Sequence, residues 1–266
     1  MAAPLCIERV PNFTITPLLV GVFPSFEKSY FLLGTEPGVK IKAPCIAWLV
    51  QGERGETVVV DTGPHAGDAP TSHLHNRLEV NPDHRIDRAL RQHGVDPSEV
   101  STVIFSHLHF DHCYHAEVFT NPSTRFLVQK ADLQYAIAPI PWHRASFESG
   151  VPGARPPWFT VFDRIEPVEG DLEVMPGLGF VSLPGHTPGS AGVTLQTRQG
   201  VHLLAGDTIN LVENWEGGAR GQRHIPPGSF VDVVACYQTF EKIERLADVV
   251  LASHDFRMFD SPRYGV

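Results

Sequence analysis

The chain has 266 residues, 42% hydrophobic and 19% charged, enough apolar material for one large domain or two small ones. Its 21 Lys+Arg against 30 Asp+Glu leave a net charge of −9, and scattered basic residues argue against a nucleic-acid partner. No apolar run is long enough to span a membrane, and MAAPLCIERVPNF lacks a basic region followed by an apolar stretch, so a cytoplasmic location is expected.

In chain order, CIAWLVQ (45–51) and ETVVVDTG (56–63) flank a Gly-containing turn and read as a hairpin. TSHLHNRLE follows no strand, so His73 and His75 read as a solvated loop pair, able with His65 to line an entrance. HRIDRALRQHG (84–94) places Ile86, Ala89 and Leu90 on one helical face and stops at Gly94. TVIFS (102–106) is a strand that runs directly into SHLHFDH, where His107, His109, Asp111 and His112 crowd together. Alternate residues of an extended segment point the same way, so His107 and His109 can share one ion. Asp111 and His112 fall where the chain turns into a helix, and they suit a second ion. Nitrogen and carboxylate donors fit zinc, with manganese, iron or cobalt as further options. A His-rich surface loop is the plainer alternative.

RFLVQ (125–129) is another strand. Residues 136–160, AIAPIPWHRASFESGVPGARPPWFT, fit no periodic pattern, and a stretch this long is functional or disordered. Its Trp142, Phe147, Trp158 and Phe159 favour a packed lid over the site. Together with Phe110 and Tyr114 they are expected to wall the substrate pocket. LGFVSLPG (178–185) then leads to His186 in LPGHTPGS. AGVTLQT (191–197) and VHLLAGD (201–207) form a second hairpin ending on Asp207, where an unpaired buried carboxylate would be costly.

SFVDVVACYQTFEKIERLA (229–247) repeats apolar positions at Val233, Tyr237, Phe240, Ile243 and Ala247, with Ser229 and Asp232 as a cap pair. DVVLAS (248–253) ends at His254. Ligand-type residues therefore stand just past four β-runs. Cys6, Cys45, Cys113 and Cys236 form no CxxC pair and are expected as reduced thiols. There is no GxSxG. Each half reads as strands followed by helix, and no low-complexity linker divides them. One domain over 1–266 is expected, with two sheets face to face and helices outside.

HxHxDH, PGHTPGS, GDT and SHD in this order resemble the metallo-β-lactamase superfamily, from about residue 14 to the end. The similarity is greatest to the N-acyl homoserine lactonase branch, through the Ile-x-x-Pro strand IKAPCIAWLV, SHLHFDH and the NWEGG loop. The resemblance implies an α/β fold, the αββα sandwich of two mixed β-sheets flanked by helices. It implies that His107, His109 and His186 bind a first metal, that Asp111, His112 and His254 bind a second, and that Asp207 bridges them. Asp61 would orient a ligand from behind. It also implies two Zn2+ per chain and hydrolysis, in which a hydroxide held between the ions attacks an ester-like or amide-like carbonyl. Asp111 would assist the leaving atom.

Two departures concern the substrate. The lactonases typically carry small residues where Cys113, Tyr114 and His115 stand, and a Tyr where Asn210 stands. Asn210 can hydrogen-bond a substrate carbonyl without the acidity of a phenol. The expected small-molecule substrate is therefore a compact cyclic ester (lactone), or a related cyclic carbamate or lactam. An N-acyl homoserine lactonase proper, a mononuclear-iron persulfide dioxygenase and a non-catalytic metal-binding protein are the competing readings. A homodimer is compatible with all of these features.

Overall fold

Strands buried on both faces carry unbroken apolar runs instead of alternating ones. β3 (Thr57–Val60), TVVV, and β4 (Thr102–Ile104), TVI, are of this kind. They lie at the centre of a six-stranded sheet with β1 (Phe13–Glu27), β2 (Lys40–Gly52), β5 (Arg125–Gln129) and β6 (Ile165–Val168), in the order 1-2-3-4-5-6. The first two pairings are antiparallel and the remaining three parallel. The second sheet has β7 (Leu172–Met175), β8 (Leu178–Ser182), β9 (Ala191–Thr197), β10 (Gly200–Leu204) and β11 (Val249–Leu251) in the order 11-10-9-8-7. Only β10 and β11 pair in parallel there. The structure, a computed structural model, describes residues 10–65, 75, 78–218 and 221–266.

Residue alternation sorts the strands into two cores. Trp48, Val50, Val58, Val60 and Ile104 cluster with Leu178, Phe180, Val193 and Leu195 of the second sheet. Their sequence neighbours Leu49, Val59 and Val103 pack the other way, with Ile86 and Leu90 of the helix Ile86–Gln92 and with Phe147 and Trp158. The helix Val233–Leu246 buries Phe240 and Ile243 against the second sheet. Two mixed sheets flanked by helices make the αββα sandwich.

Three expectations are corrected. β1, 15 residues long, is missing from the sequence reading because Pro17 and Pro24 break its pattern. It is an edge strand with two register shifts, and there a residue without an N–H is tolerated. The helix Val233–Leu246 is capped by Asp232 alone, which accepts from the Val234 and Ala235 amides at 2.8 and 3.0 Å. Ser229 instead offers its carbonyl to His186. The buried stripe of that helix runs through Cys236, Thr239, Phe240 and Ile243, leaving Tyr237 exposed.

The C-terminal ends of β3, β4, β8, β10 and β11 all fall on one edge of the sandwich. Two stitches join the sheets there. The Ala191 amide donates to the Ser106 carbonyl at 2.9 Å, beside Gly206 (φ +53), where a Cβ would lie 2.8 Å from the Cβ of Ser106. Asp132, fully buried, accepts from the Leu108 amide at 2.7 Å, from the Thr187 hydroxyl and from the Gly189 amide. Burial pushes its carboxyl up to about 6, against the pull of these donors.

Asp132→Ala would strand two buried amides and should cost about 3 kcal/mol in denaturant unfolding. The sign of its pH dependence follows from the raised value. Asp132 favours folding at pH below its unfolded pKa, and this contribution is lost as pH rises through about 6. Between pH ~5 and ~7.5 the natural chain should lose about 1.4 kcal/mol more stability than Asp132→Asn, which does not titrate.

Candidate metal centre

The loop after β4 presents His107 and His109, the turn after β8 His186, and the turn after β10 Asp207. Ligand atoms of these four buried residues lie within 4.8 Å of one another. His186 Nε2 is 3.3 Å from His107 Nε2 and 3.1 Å from His109 Nδ1. A second group joins His112, Asp207 and His254 within the same limit. Asp207 faces both. Its Oδ1 is 3.2 Å from the Nε2 atoms of His112 and His254, while Oδ2 is 3.9 Å from His107 Nε2 and 3.6 Å from His186 Nε2. Asp111 Oδ2 stands 3.7 Å from the Nε2 atoms of His112 and His254.

The outward nitrogens explain why the rings point inward. His112 Nδ1 donates to Asp61 Oδ2 at 2.9 Å, His186 Nδ1 to the Ser229 carbonyl at 2.7 Å, and His254 Nδ1 to the Pro44 carbonyl at 2.7 Å. Asp61 (φ +59) also accepts from the Ser106 amide and hydroxyl at 2.7 Å. Such outer bonds fix the tautomer and leave the inner lone pair to an electrophile. Nε2 of His109 and of His112 are buried without a hydrogen-bond partner among the described residues. Converging ring nitrogens and orphaned buried atoms fit a cationic guest better than one another.

Electrostatics divide the rings. Burial holds His107 and His109 well below the usual imidazole range and lowers His186. Burial acts the same way on His112 and His254, but there Asp207 and Asp111 outweigh it and raise both. Burial alone would raise Asp207. His254 and His112 hold it well below the usual carboxylate range.

A cavity of about 290 Å³ opens onto these residues. His109, Asp111, His186, Asp207, Asn210 and His254 form its polar floor. Its apolar wall includes Phe110 and Trp142, as expected, but Tyr114, Phe147, Trp158 and Phe159 are not in the lining. Phe147 is fully buried behind His109, Trp158 is in the core, and Phe159 stacks outward on Phe162. Phe23, Phe26, Tyr30 and Phe31 also line the cavity, which the sequence reading missed; the aromatic density of FPSFEKSYF was the available signal.

His75 is the largest correction. It is not solvated but 3% exposed, stacked on Phe110 at 3.5 Å, bonded through Nε2 to Glu148 Oε1 at 2.7 Å, and part of the cavity lining. Glu148 also accepts from the Tyr114 hydroxyl, and His65 lies beside it. His73 and Cys6 lie outside the described residues.

Donors gathered at one edge of two facing mixed sheets make a candidate metal centre on an αββα sandwich. The model of the metallo-beta-lactamase superfamily matches residues 43–254, and the chain belongs to that superfamily. An N-acyl homoserine lactonase of Bacillus thuringiensis is 29% identical over 225 residues, covering 80% of this chain and 79% of its own. The N-acyl homoserine lactonase AiiB of Agrobacterium fabrum (strain C58) is 26% identical over 256 residues, covering 88% of each. Among solved structures, a B. thuringiensis AiiA variant with N-decanoyl-L-homoserine bound at its active site aligns with a TM-score of 0.72 at 20% identity, covering 94% of this chain and 96% of that one. The chain is thus a hydrolase of this superfamily, related to the N-acyl homoserine lactonases.

Asp61→Asn keeps a side chain that tolerates positive φ but takes away the anionic acceptor for His112 Nδ1. Metal affinity in chelator competition should fall about 10–100-fold. Unchanged affinity would show that His112 is held by other contacts.

Proposed function

We propose that this chain is a dinuclear zinc hydrolase that opens a compact cyclic ester, or a related cyclic carbamate or lactam, within one domain spanning 1–266. The observation that carries the reading is Asp207, which turns one oxygen toward each group of histidines. This supports His107, His109 and His186 as holders of one ion, Asp111, His112 and His254 as holders of the other, and Asp207 as shared. Imidazole and carboxylate suit zinc, with manganese, iron and cobalt as the alternatives.

Two divalent ions supply, when bound, a water acidified toward neutral pH and a polarised carbonyl. The residues of the chain do the rest. Outer bonds from Asp61, Ser229 and Pro44 hold His112, His186 and His254 without reorganisation. Asp111 lines the cavity and can pass a proton to the leaving oxygen or nitrogen. Asn210 commits one amide N–H to the Asp207 carbonyl at 3.2 Å and has another to offer the substrate carbonyl. Phe23, Phe26, Phe31 and Phe110 keep water from the reacting ring, and residues 136–160 contribute Trp142 as a wall.

The size of the cavity, about 290 Å³, lies at the lower end of small-molecule sites and supports a compact ring over a long acyl chain. The names of the relatives favour the second reading, an N-acyl homoserine lactonase proper.

Purified protein should carry two ions per chain, and Asp207→Ala should lose most of the metal and nearly all activity. A single tightly held ion with full activity would overturn the shared carboxylate. The substrate is tested separately, by kcat/KM for a bicyclic aromatic lactone, carbamate and lactam against acyl homoserine lactones of short and long chain. A preference of about 100-fold for the acyl compounds, about 2.7 kcal/mol of transition-state discrimination, would overturn the compact ring and leave the metal reading intact.

A further inference from the structure

We propose that Cys45 is an additional ligand of the ion held by Asp111, His112 and His254, an inference that rests on the two-ion reading above. Cys45 Sγ, a carboxylate oxygen of Asp111 and a ring nitrogen of His254 lie within 4.8 Å of one another. Donors placed tetrahedrally on zinc at about 2.0–2.3 Å lie ~3.3–3.8 Å apart, so the three would draw together by up to about 1 Å to share an ion.

The backbone fixes this placement. The carbonyl of Pro44 accepts from His254 Nδ1 at 2.7 Å, so the strand that carries Cys45 is tied to the imidazole one residue away. Cys45 faces the same side of β2 as the buried Ala43, Ala47 and Leu49, and is itself 1% exposed. Beside this group, His112 Nε2 is buried without a hydrogen-bond partner among the described residues, 3.7 Å from Asp111 Oδ2 and 3.2 Å from Asp207 Oδ1, an unused donor on the side of the ion away from Cys45. Cys113 makes a useful contrast. Its thiol donates to the carbonyls of Leu108 and His109, a use that needs no ion, and it belongs to none of the donor groups.

On binding, the Cys45 thiol would release its proton to solvent and the thiolate would coordinate, with no change of redox state. The second position would then hold a soft sulfur donor alongside imidazole and carboxylate. That should favour zinc, cobalt or cadmium over manganese there.

Cobalt(II) loading with metal analysis reads both points. The natural chain should bind two cobalt ions and show the intense near-ultraviolet absorption of a thiolate–cobalt bond. Cys45→Ala should lose that band and release one of its ions about 10-fold more readily, or more, to a chelator. Cys45→Ser, close in size and expected to fold normally, should lose the band as well. Two ions without the band in the natural chain, or a band that survives in Cys45→Ser, would overturn Cys45 as a ligand and leave the two-ion reading standing. One ion with the band would overturn the two-ion reading and keep the thiolate.

Discussion

Five histidines (His107, His109, His112, His186 and His254) and four carboxylates (Asp61, Asp111, Asp132 and Asp207) are buried at the edge where two sheets meet, and the surrounding structure is arranged to make that bearable. Apolar residues between the sheets could be exchanged within their class at modest cost. A buried imidazole or carboxylate cannot, because each missing partner costs about 1–3 kcal/mol. Asp61 therefore serves Ser106 and His112, Ser253 donates to Asp207 at 2.8 Å, and backbone carbonyls take the outer nitrogens of His186 and His254. The stitches at Ser106 and Asp132 hold the two sheets in register at that edge. Stability and the candidate metal centre consequently share one set of contacts.

The sequence made the donors legible because the relevant information is local. SHLHFDH follows an apolar strand immediately, and strand ends announce His186, Asp207 and His254. Those rules fail where contacts are distant. His75 meets Glu148, 73 residues away, and no periodicity near either residue announces it. The absence of a preceding strand argued against a ligand role for His75, and the same absence was wrongly extended to burial. A residue can be outside the proposed metal-binding set and still be in the core. β1 and the Phe23–Phe31 wall escaped for a related reason, since prolines tolerated on an edge strand look like breaks when its pairing partner is unknown.

The cluster of His65, His75, Glu148 and Tyr114 shows how donor chemistry can be spent on shape. His65, His75 and Glu148 also place ligand atoms within 4.8 Å. Yet the 2.7 Å between His75 Nε2 and Glu148 Oε1 is a direct hydrogen bond, closer than the ~2.9 Å of two donors at right angles on one ion. Glu148 adopts φ +49, which a non-glycine residue rarely does, and its bonds to His75 and Tyr114 offset that strain. The result ties the 136–160 segment to the ligand loop and sets the His75 ring against Phe110 as one wall of the cavity.

Asn210 couples recognition to the same framework. The residue is 1% exposed, its side-chain amide donates to the carbonyl of Asp207, and its backbone carbonyl accepts from the His254 amide at 2.8 Å. Any group placed here moves with the turn that carries Asp207 and with the loop that carries His254. A longer phenolic side chain in its place would project further into a cavity of only about 290 Å³. On the proposed reading, a short amide leaves that space to a compact substrate while retaining a hydrogen-bond donor. The departure at 210 is therefore consistent with hydrolytic machinery kept intact and a binding volume reshaped around it.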